Sequence, residues 1–344
     1  MFEVRTLSRW LVSVVLVVML SGGWLSGPAG SSELRPGSDA HHVMALAYAP
    51  PFLKAFEGLK SGLRKSGYVP GDNIFYDVHS LQRNLATVDS LLKKIKEGEC
   101  DLVFSITTPV TQALKKSFSA NEIRIPVVFS AVADPLGSGI VKDLRHPGGF
   151  FTGISHNSLE LLPQRLLLFK KAFPGMRRVA IFFDPNNEIS RRSFEFSLLH
   201  QAADDCHLEL VVNKAGSLDE LRACCRRLSR KPGQVDGIFM LPDAFSVAHF
   251  SELLRLSRNL RIPLMVIDNM LLNQGGVMGY SPDFYAVGVQ AAGIVEQIFA
   301  GKKPGDIAVQ NAEKVKLMVS LKEAEALGLK IDDEVLMLAD EVIR

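Results

Sequence analysis

Short apolar, β-branched runs alternate with amphipathic stretches along most of this chain. Residues 43–48 are apolar and stop at Ala49-Pro50-Pro51. Phe52, Phe56, Leu59 and Leu63 then recur at helical spacing, which predicts a helix over 52–66 closed by Gly67. Strands are predicted over 74–79 and 101–106, with an amphipathic helix over 85–96 between them. Thr108-Pro109 predicts the next helix start, with Thr as the cap and Pro at the first helical position. Residues 125–129 predict a fourth strand. Runs that are apolar on both faces suit a parallel sheet covered by helices. Strict strand–helix alternation makes this a doubly wound lobe.

The second half repeats the same grammar. Strands are predicted over 178–183 and 208–212, and helices over 190–206 and 218–229. Val235-Asp236-Gly-Ile-Phe-Met240 echoes Cys100-Asp101-Leu-Val-Phe-Ser105, and 260–268 echoes 123–130. A helix over 283–300, a late strand over 315–321 and a terminal helix over 334–344 complete the expectation.

Between the halves, residues 127–155 run from a buried-type strand through Asp134-Pro135 and Pro147-Gly148-Gly149 to a short extended segment. That is the pattern of a chain leaving one domain for another. Gly275-Gly276-Val-Met-Gly279-Tyr280 mirrors it and reads as the returning crossover. The spacing of Phe129, Val132, Asp134, Pro135, Gly139, Val141, Leu144, Pro147, Gly148, Gly149, Thr152 and Gly153 resembles the substrate-binding proteins of ABC transporters, in the family related to tryptophan- and tyrosine-binding proteins. Leu63-Arg-Lys-Ser-Gly67-Tyr68, Thr108-Pro109, Gly279-Tyr280-Ser-Pro-Asp283 and Leu321-Lys-Glu-Ala324-Glu-Ala-Leu-Gly328 extend the resemblance from about Val43 to the C-terminus. Phe150, where the pattern has Asn, and Ala244, where members often carry Asn, depart from it.

The resemblance implies a type I periplasmic-binding fold: two doubly wound α/β parallel-sheet lobes joined by a hinge. The lobes are expected over 41–152 plus 281–305 and over 153–280 plus 306–344. Residues 149–155 and 277–281 are the expected hinge segments. The implied function is capture of an amino acid or related compound, with delivery to an ABC permease in the inner membrane.

Composition narrows the alternatives. The 344 residues, 47% hydrophobic and 22% charged, hold one large or two ordinary domains. A formal charge of +2 and the lack of a dense Lys/Arg stripe argue against a nucleic-acid partner. Arg5 and Arg9 precede an apolar run and then Gly27-Pro28-Ala29-Gly30, the layout of a signal peptide over residues 1–30. A retained anchor is the other reading of that run. Absence of Cys near the cleavage zone argues against a lipoprotein, so a periplasmic or extracellular location is expected. Cys100, Cys206, Cys224 and Cys225 form no CxxC, and buried apolar filling is their expected role.

Ligands of open α/β sheets bind beyond the carboxyl ends of the strands. The loops there offer Tyr48, Thr108, Thr111, Asp134, Asn187, Ser190, Asp243, Asp268 and Tyr280. Thr108, Thr111, Asn187 and Ser190 sit where helices begin, a setting that favours a carboxylate. They equally suit ordinary capping. Asp243 and Asp268 end consecutive strands and suit a ligand ammonium. Tyr48 and Tyr280, with Phe52 and Phe245 nearby, are placed to stack on an apolar or aromatic group. No GxSxG elbow, Walker A loop or GxGxxG fingerprint occurs, so no enzyme, metal or cofactor is expected. The reading is a monomeric exported solute-binding protein working by hinge closure. A ligand-sensing subunit of a membrane receptor is the alternative.

Overall fold

The computed structural model describes residues 40–344; the expected signal peptide lies outside the described residues. The first lobe runs β1 (His41–Ala47), α1 (Leu53–Lys65), β2 (Ile74–Ser80) and α2 (Thr87–Lys96). It continues through β3 (Leu102–Ile106), α3 (Thr108–Ala120), β4 (Val127–Val132) and β5 (Phe151–Ser155). The second lobe opens with α4 (Leu162–Ala172), β6 (Arg178–Phe183), α5 (Glu188–Glu195), α6 (Ser197–Asp205) and β7 (Glu209–Lys214). Next come α7 (Leu218–Ser229), β8 (Gly237–Phe239), α8 (Ala244–Ala248) and α9 (Phe250–Leu260). Then follow β9 (Leu264–Val266), α10 (Asn269–Asn273) and β10 (Met278–Pro282). The rest of the chain is α11 (Phe284–Phe299), β11 (Gln310–Asn311), β12 (Val315–Ser320), α12 (Leu321–Ala326), α13 (Asp333–Leu338) and β13 (Glu341–Ile343).

Among the described residues these strands form two sheets, ordered β11-β5-β4-β3-β1-β2 and β13-β12-β10-β9-β8-β6-β7. All pairings are parallel except β10 with β12. Side-chain alternation explains why both faces are covered. Val43, Ala45 and Ala47 enter one core of the first lobe, while Met44 and Leu46 enter the other. In the second lobe Val179, Ile181 and Phe183 face one core, and Ala180 and Phe182 the other. The fold is thus two α/β parallel-sheet lobes. All four cysteines are free, with Cys100, Cys224 and Cys225 buried and Cys206 part-buried.

Strand membership places the crossings between lobes later than the sequence boundaries. β5 stays in the first sheet, so the chain leaves after Ser155 rather than at 152. β10 belongs to the second sheet, and α11 packs on α1 of the first lobe, so the return falls at Pro282–Phe284 rather than at 280. β11 pairs with Ile154 and Ser155, which keeps residues up to Asn311 with the first lobe rather than ending it at 305. The expected hinge segments 149–155 and 277–281 are extended but sit largely inside strands of different sheets; the links follow them.

Two helices differ from expectation. The stretch 190–206 is broken at Phe196, which is extended (φ −65°, ψ 110°). Phe194 stacks on Phe183 at 4.5 Å, and its carbonyl meets the His200 ring nitrogen at 2.7 Å. At the C-terminus, α13 ends at Leu338 and the chain becomes β13 instead of helix. Asp340 causes this: its backbone N–H donates to the Leu317 carbonyl and its carboxylate accepts from the Leu317 N–H, both at 2.8 Å, drawing the chain onto the edge of β12.

The return to the first lobe rests on close backbone contact between α1 and α11. A Cβ at Gly288 would lie 1.8 Å from the Ala55 carbonyl oxygen, and one at Gly58 would lie 1.9 Å from that of Tyr285. Gly288→Ala is therefore expected to lower unfolding free energy by about 1–3 kcal/mol through overpacking. Gly293→Ala, on the same helix with open space around it, should raise it by about 0.4–1 kcal/mol. Urea denaturation of both variants checks the pair; equal effects would contradict this packing.

Candidate functional site

The carboxyl ends of both sheets open on one cavity of about 920 Å³. Its first-lobe wall comes from the loops after β1, β2, β3, β4 and β5; its second-lobe wall comes from the loops after β6, β8 and β9, with α4 and the end of β10. Each parallel strand delivers its loop to this same edge, which is why residues far apart in sequence meet there.

Tyr48, Thr108, Asn187, Asp243, Asp268 and Tyr280 line the cavity. Their roles differ from simple ligand donors. Thr108 is the first residue of α3 and Thr107 its cap, one position earlier than expected. The Thr108 hydroxyl accepts from the Ala133 N–H at 3.1 Å, which ties the β3 loop to the β4 loop. Thr107 is buried, carries a left-handed φ of +93°, and its hydroxyl has no partner among the described residues. Ala131 (φ +56°) and Arg83 (φ +68°) also line the cleft in left-handed conformations. Non-glycine strain of this kind costs free energy and gathers at ligand sites.

Thr111, Asp134 and Ser190 are not brought to the cavity wall. Thr111 is buried; it donates to the Thr107 carbonyl at 2.9 Å and contacts the Ser105 hydroxyl, so it secures the first turn of α3. The Ser190 hydroxyl accepts from the Asp184 N–H at 2.9 Å and also bonds to Asp243. Asp134 makes an ion pair across the lobes with Arg192 of α5 at 2.5 Å and accepts from the Gly137 N–H at 2.8 Å. Its carboxylate is thus occupied by partners from the two lobes and does not line the cavity. A Cβ at Gly137 would fall 1.6 Å from the Arg192 guanidinium, so glycine makes room for the pair.

The two remaining carboxylates define the electrostatics. Asp243, 3% exposed, accepts from the Ser246 N–H at 2.7 Å and from its hydroxyl at 3.0 Å. Asp268 accepts from the Leu271 N–H at 2.9 Å. Burial raises the pKa of both above the ordinary aspartate value of 3.8; hydrogen bonds, and for Asp268 the charge of Arg165, only partly offset it. Asp243 also takes donors from Ser190 and the Phe245 N–H, and Asp268 from the Met270 N–H. Asn187 uses its side-chain oxygen to cap α5, accepting from the Ser190 N–H at 3.0 Å.

An aromatic wall faces them. Phe52 meets Phe284 edge-on at 5.4 Å, and His156 stacks on Phe284 at 5.1 Å. His156 Nε2 is covered and has no partner among the described residues; burial pushes the imidazole down to about 4, so it is neutral near pH 7. His156, Phe284, Arg83 and Arg165 were missed in the sequence. Arg165 alone carried a visible signal, a charge on the same helical stripe as Leu162, Leu166 and Phe169. Among the described residues no cluster of His, Cys, Asp or Glu suits a metal ion, and no helix is long and apolar enough to cross a membrane.

Comparison with known proteins agrees with this geometry. A family model described as "ABC transporter substrate binding protein" matches residues 42–343. A tyrosine-binding protein of Clostridioides difficile (strain R20291) is 24% identical over 331 residues, 95% of this chain and 93% of that protein. A conserved domain protein from Vibrio cholerae is 27% identical with a TM-score of 0.70, covering 88% of this chain and 99% of that one. An ABC domain from Streptococcus pneumonia in complex with L-Trp is 24% identical with a TM-score of 0.71, covering 88% and 100%. The match over almost all described residues means that this chain belongs to the ABC transporter substrate binding proteins, a family that binds solutes and does no covalent chemistry on them.

Proposed function

We propose that the protein is exported, binds an aromatic amino acid between its lobes as a monomer, and delivers it to an ABC permease. The observation that carries the reading is the meeting of two buried carboxylates, Asp243 and Asp268, with an aromatic wall in one cavity. A ligand ammonium compensates the carboxylates. The start of α3, where the Thr107 hydroxyl has no partner among the described residues, suits the ligand carboxylate. Tyr48, Phe52, Phe284 and neutral His156 suit an aromatic side chain. The tyrosine-binding relative and the L-Trp complex support the same class. The basic-then-apolar layout of residues 1–30 supports export. Closure of the lobes around the ligand would give a permease a surface that only the loaded state presents.

Asp268→Asn keeps the acceptor for the Leu271 N–H and removes the charge. It should weaken L-tyrosine or L-tryptophan binding by about 1.5–3 kcal/mol, roughly ten- to hundredfold. Titration calorimetry measures this, and unchanged affinity removes Asp268 from the site.

The raised carboxylate pKa values set a pH dependence with opposite signs for binding and stability. The ammonium needs ionised carboxylates, so affinity should fall as pH drops through the raised values. In the ligand-free fold burial makes ionisation of both acids harder than in the unfolded chain. Their contribution to stability is present below those values and is lost as pH rises through them. Affinity and ligand-free melting temperature measured over one acidic series should therefore move in opposite directions for these two groups. An affinity that rises on acidification would contradict the scheme.

The Arg192–Asp134 pair is part-exposed, so its loss should be mild. Asp134→Asn should weaken ligand binding by about 0.2–1 kcal/mol, through easier opening of the lobes. Small-angle scattering of the ligand-free variant should show a shift toward an open form; a more compact variant would contradict an interlobe role.

A further inference from the structure

Arg165 sits on the stripe of α4 that otherwise gives Leu162, Leu166 and Phe169 to the second-lobe core. It is 2% exposed. A guanidinium in such a place must find acceptors or a counter-charge. Its Nη2 donates to the Met240 carbonyl at 3.1 Å and to the Val266 carbonyl at 3.0 Å, and the group lies 5.0 Å from the centre of the Phe239 ring. Those carbonyls are not arbitrary. Met240 follows the end of β8 and Val266 is the last residue of β9. The Met240 N–H still bonds to the Met265 carbonyl at 3.1 Å. Beyond that point the strands lead separately into the turns that carry Asp243 and Asp268.

We propose that Arg165 is a positioning residue for ligand binding: by bridging the ends of β8 and β9 it fixes the two turns that present Asp243 and Asp268 to the cleft. The assignment rests on the reading that the cleft takes an amino acid. Arg165 also lines the cavity, and its Nε has no acceptor among the described residues. Its charge is the cation that favours ionised Asp268. The other charged or titratable groups lining the cavity do not replace it. Asp243 is of like sign, Tyr280 on β10 has its pKa raised by burial, His156 is neutral near pH 7, and Arg83 belongs to the first-lobe wall after β2. Arg165 therefore acts twice on the same ligand contact, once through backbone geometry and once through charge.

The test uses the whole exported chain with L-tyrosine and L-tryptophan as probes, titrated over a pH series. Arg165→Met should lose roughly tenfold or more in affinity, and the pH at which binding fails should move upward, because Asp268 loses its neighbouring positive charge. Arg165→Lys keeps the charge on a shorter donor. It should bind more weakly than wild type yet keep the wild-type pH profile. If Arg165→Met does not fold, the lysine variant still decides the matter in a cycle with Asp268→Asn. The lysine change should weaken binding less when Asp268 is already neutralised. Three results would overturn the assignment: wild-type affinity in Arg165→Met, a loss of equal factor at every pH, or an additive cycle. Wild-type protein that binds neither probe would overturn the functional reading, and this assignment with it.

Discussion

A carboxylate that loses water must gain a cation or enough donors to replace it. Asp243 takes donors from Ser246, Ser190 and Phe245, and Asp268 from Leu271 and Met270 with the charge of Arg165 nearby. Each caps a short helix, and burial still raises the pKa of each. The carbonyl ends of β8 and β9 hold Arg165 beneath the cleft, close enough for its charge to act on Asp268 and without a direct ion pair that would consume the carboxylate. In the proposed function a ligand ammonium supplies the charge partner for both carboxylates.

The fold supplies the opposite wall. Because every strand of the first sheet runs parallel, its loops meet the same cleft edge, with Tyr48 from β1 and Thr107 from β3 among them. Phe284 arrives differently. It opens α11, the helix that crosses back to the first lobe and rests on α1 through Gly58 and Gly288. The contact that secures the return crossing therefore also sets the aromatic wall. Asp134 and Arg192 join the lobes at the cleft rim.

Much of this was legible in the sequence. The strand–helix alternation located the two lobes, and the breaker pattern around Asp134-Pro135 and Pro147-Gly148-Gly149 marked the region of the first crossing. Loop positions at strand ends brought Tyr48, Thr108, Asn187, Asp243, Asp268 and Tyr280 into view, because parallel topology leaves little choice about where such loops go. Other features depend on tertiary partners and had no local signature. Asp134 looked like a cleft acid until Arg192, remote in sequence, came to it. Ser190 and Thr111 lie off the cavity wall, with their hydroxyls turned to neighbouring groups of the protein. The C-terminal segment read as helix because a strand of three residues, Glu341–Ile343, is too short to show its period; Asp340 decided it through Leu317. His156 and Phe284 were hidden because a single ring on an extended or helical segment looks the same in a core as in a cleft.

In the proposed function the cleft recognises the ammonium of an aromatic amino acid through buried carboxylates. The most direct measurement is a calorimetric comparison of L-tyrosine with 3-(4-hydroxyphenyl)propanoate, which keeps the ring and the carboxylate and lacks the ammonium group. Saturable binding of L-tyrosine or L-tryptophan is expected, with a loss of roughly ten- to hundredfold for the deaminated form, the worth of one charge-assisted contact. Equal affinity for the two forms would contradict it.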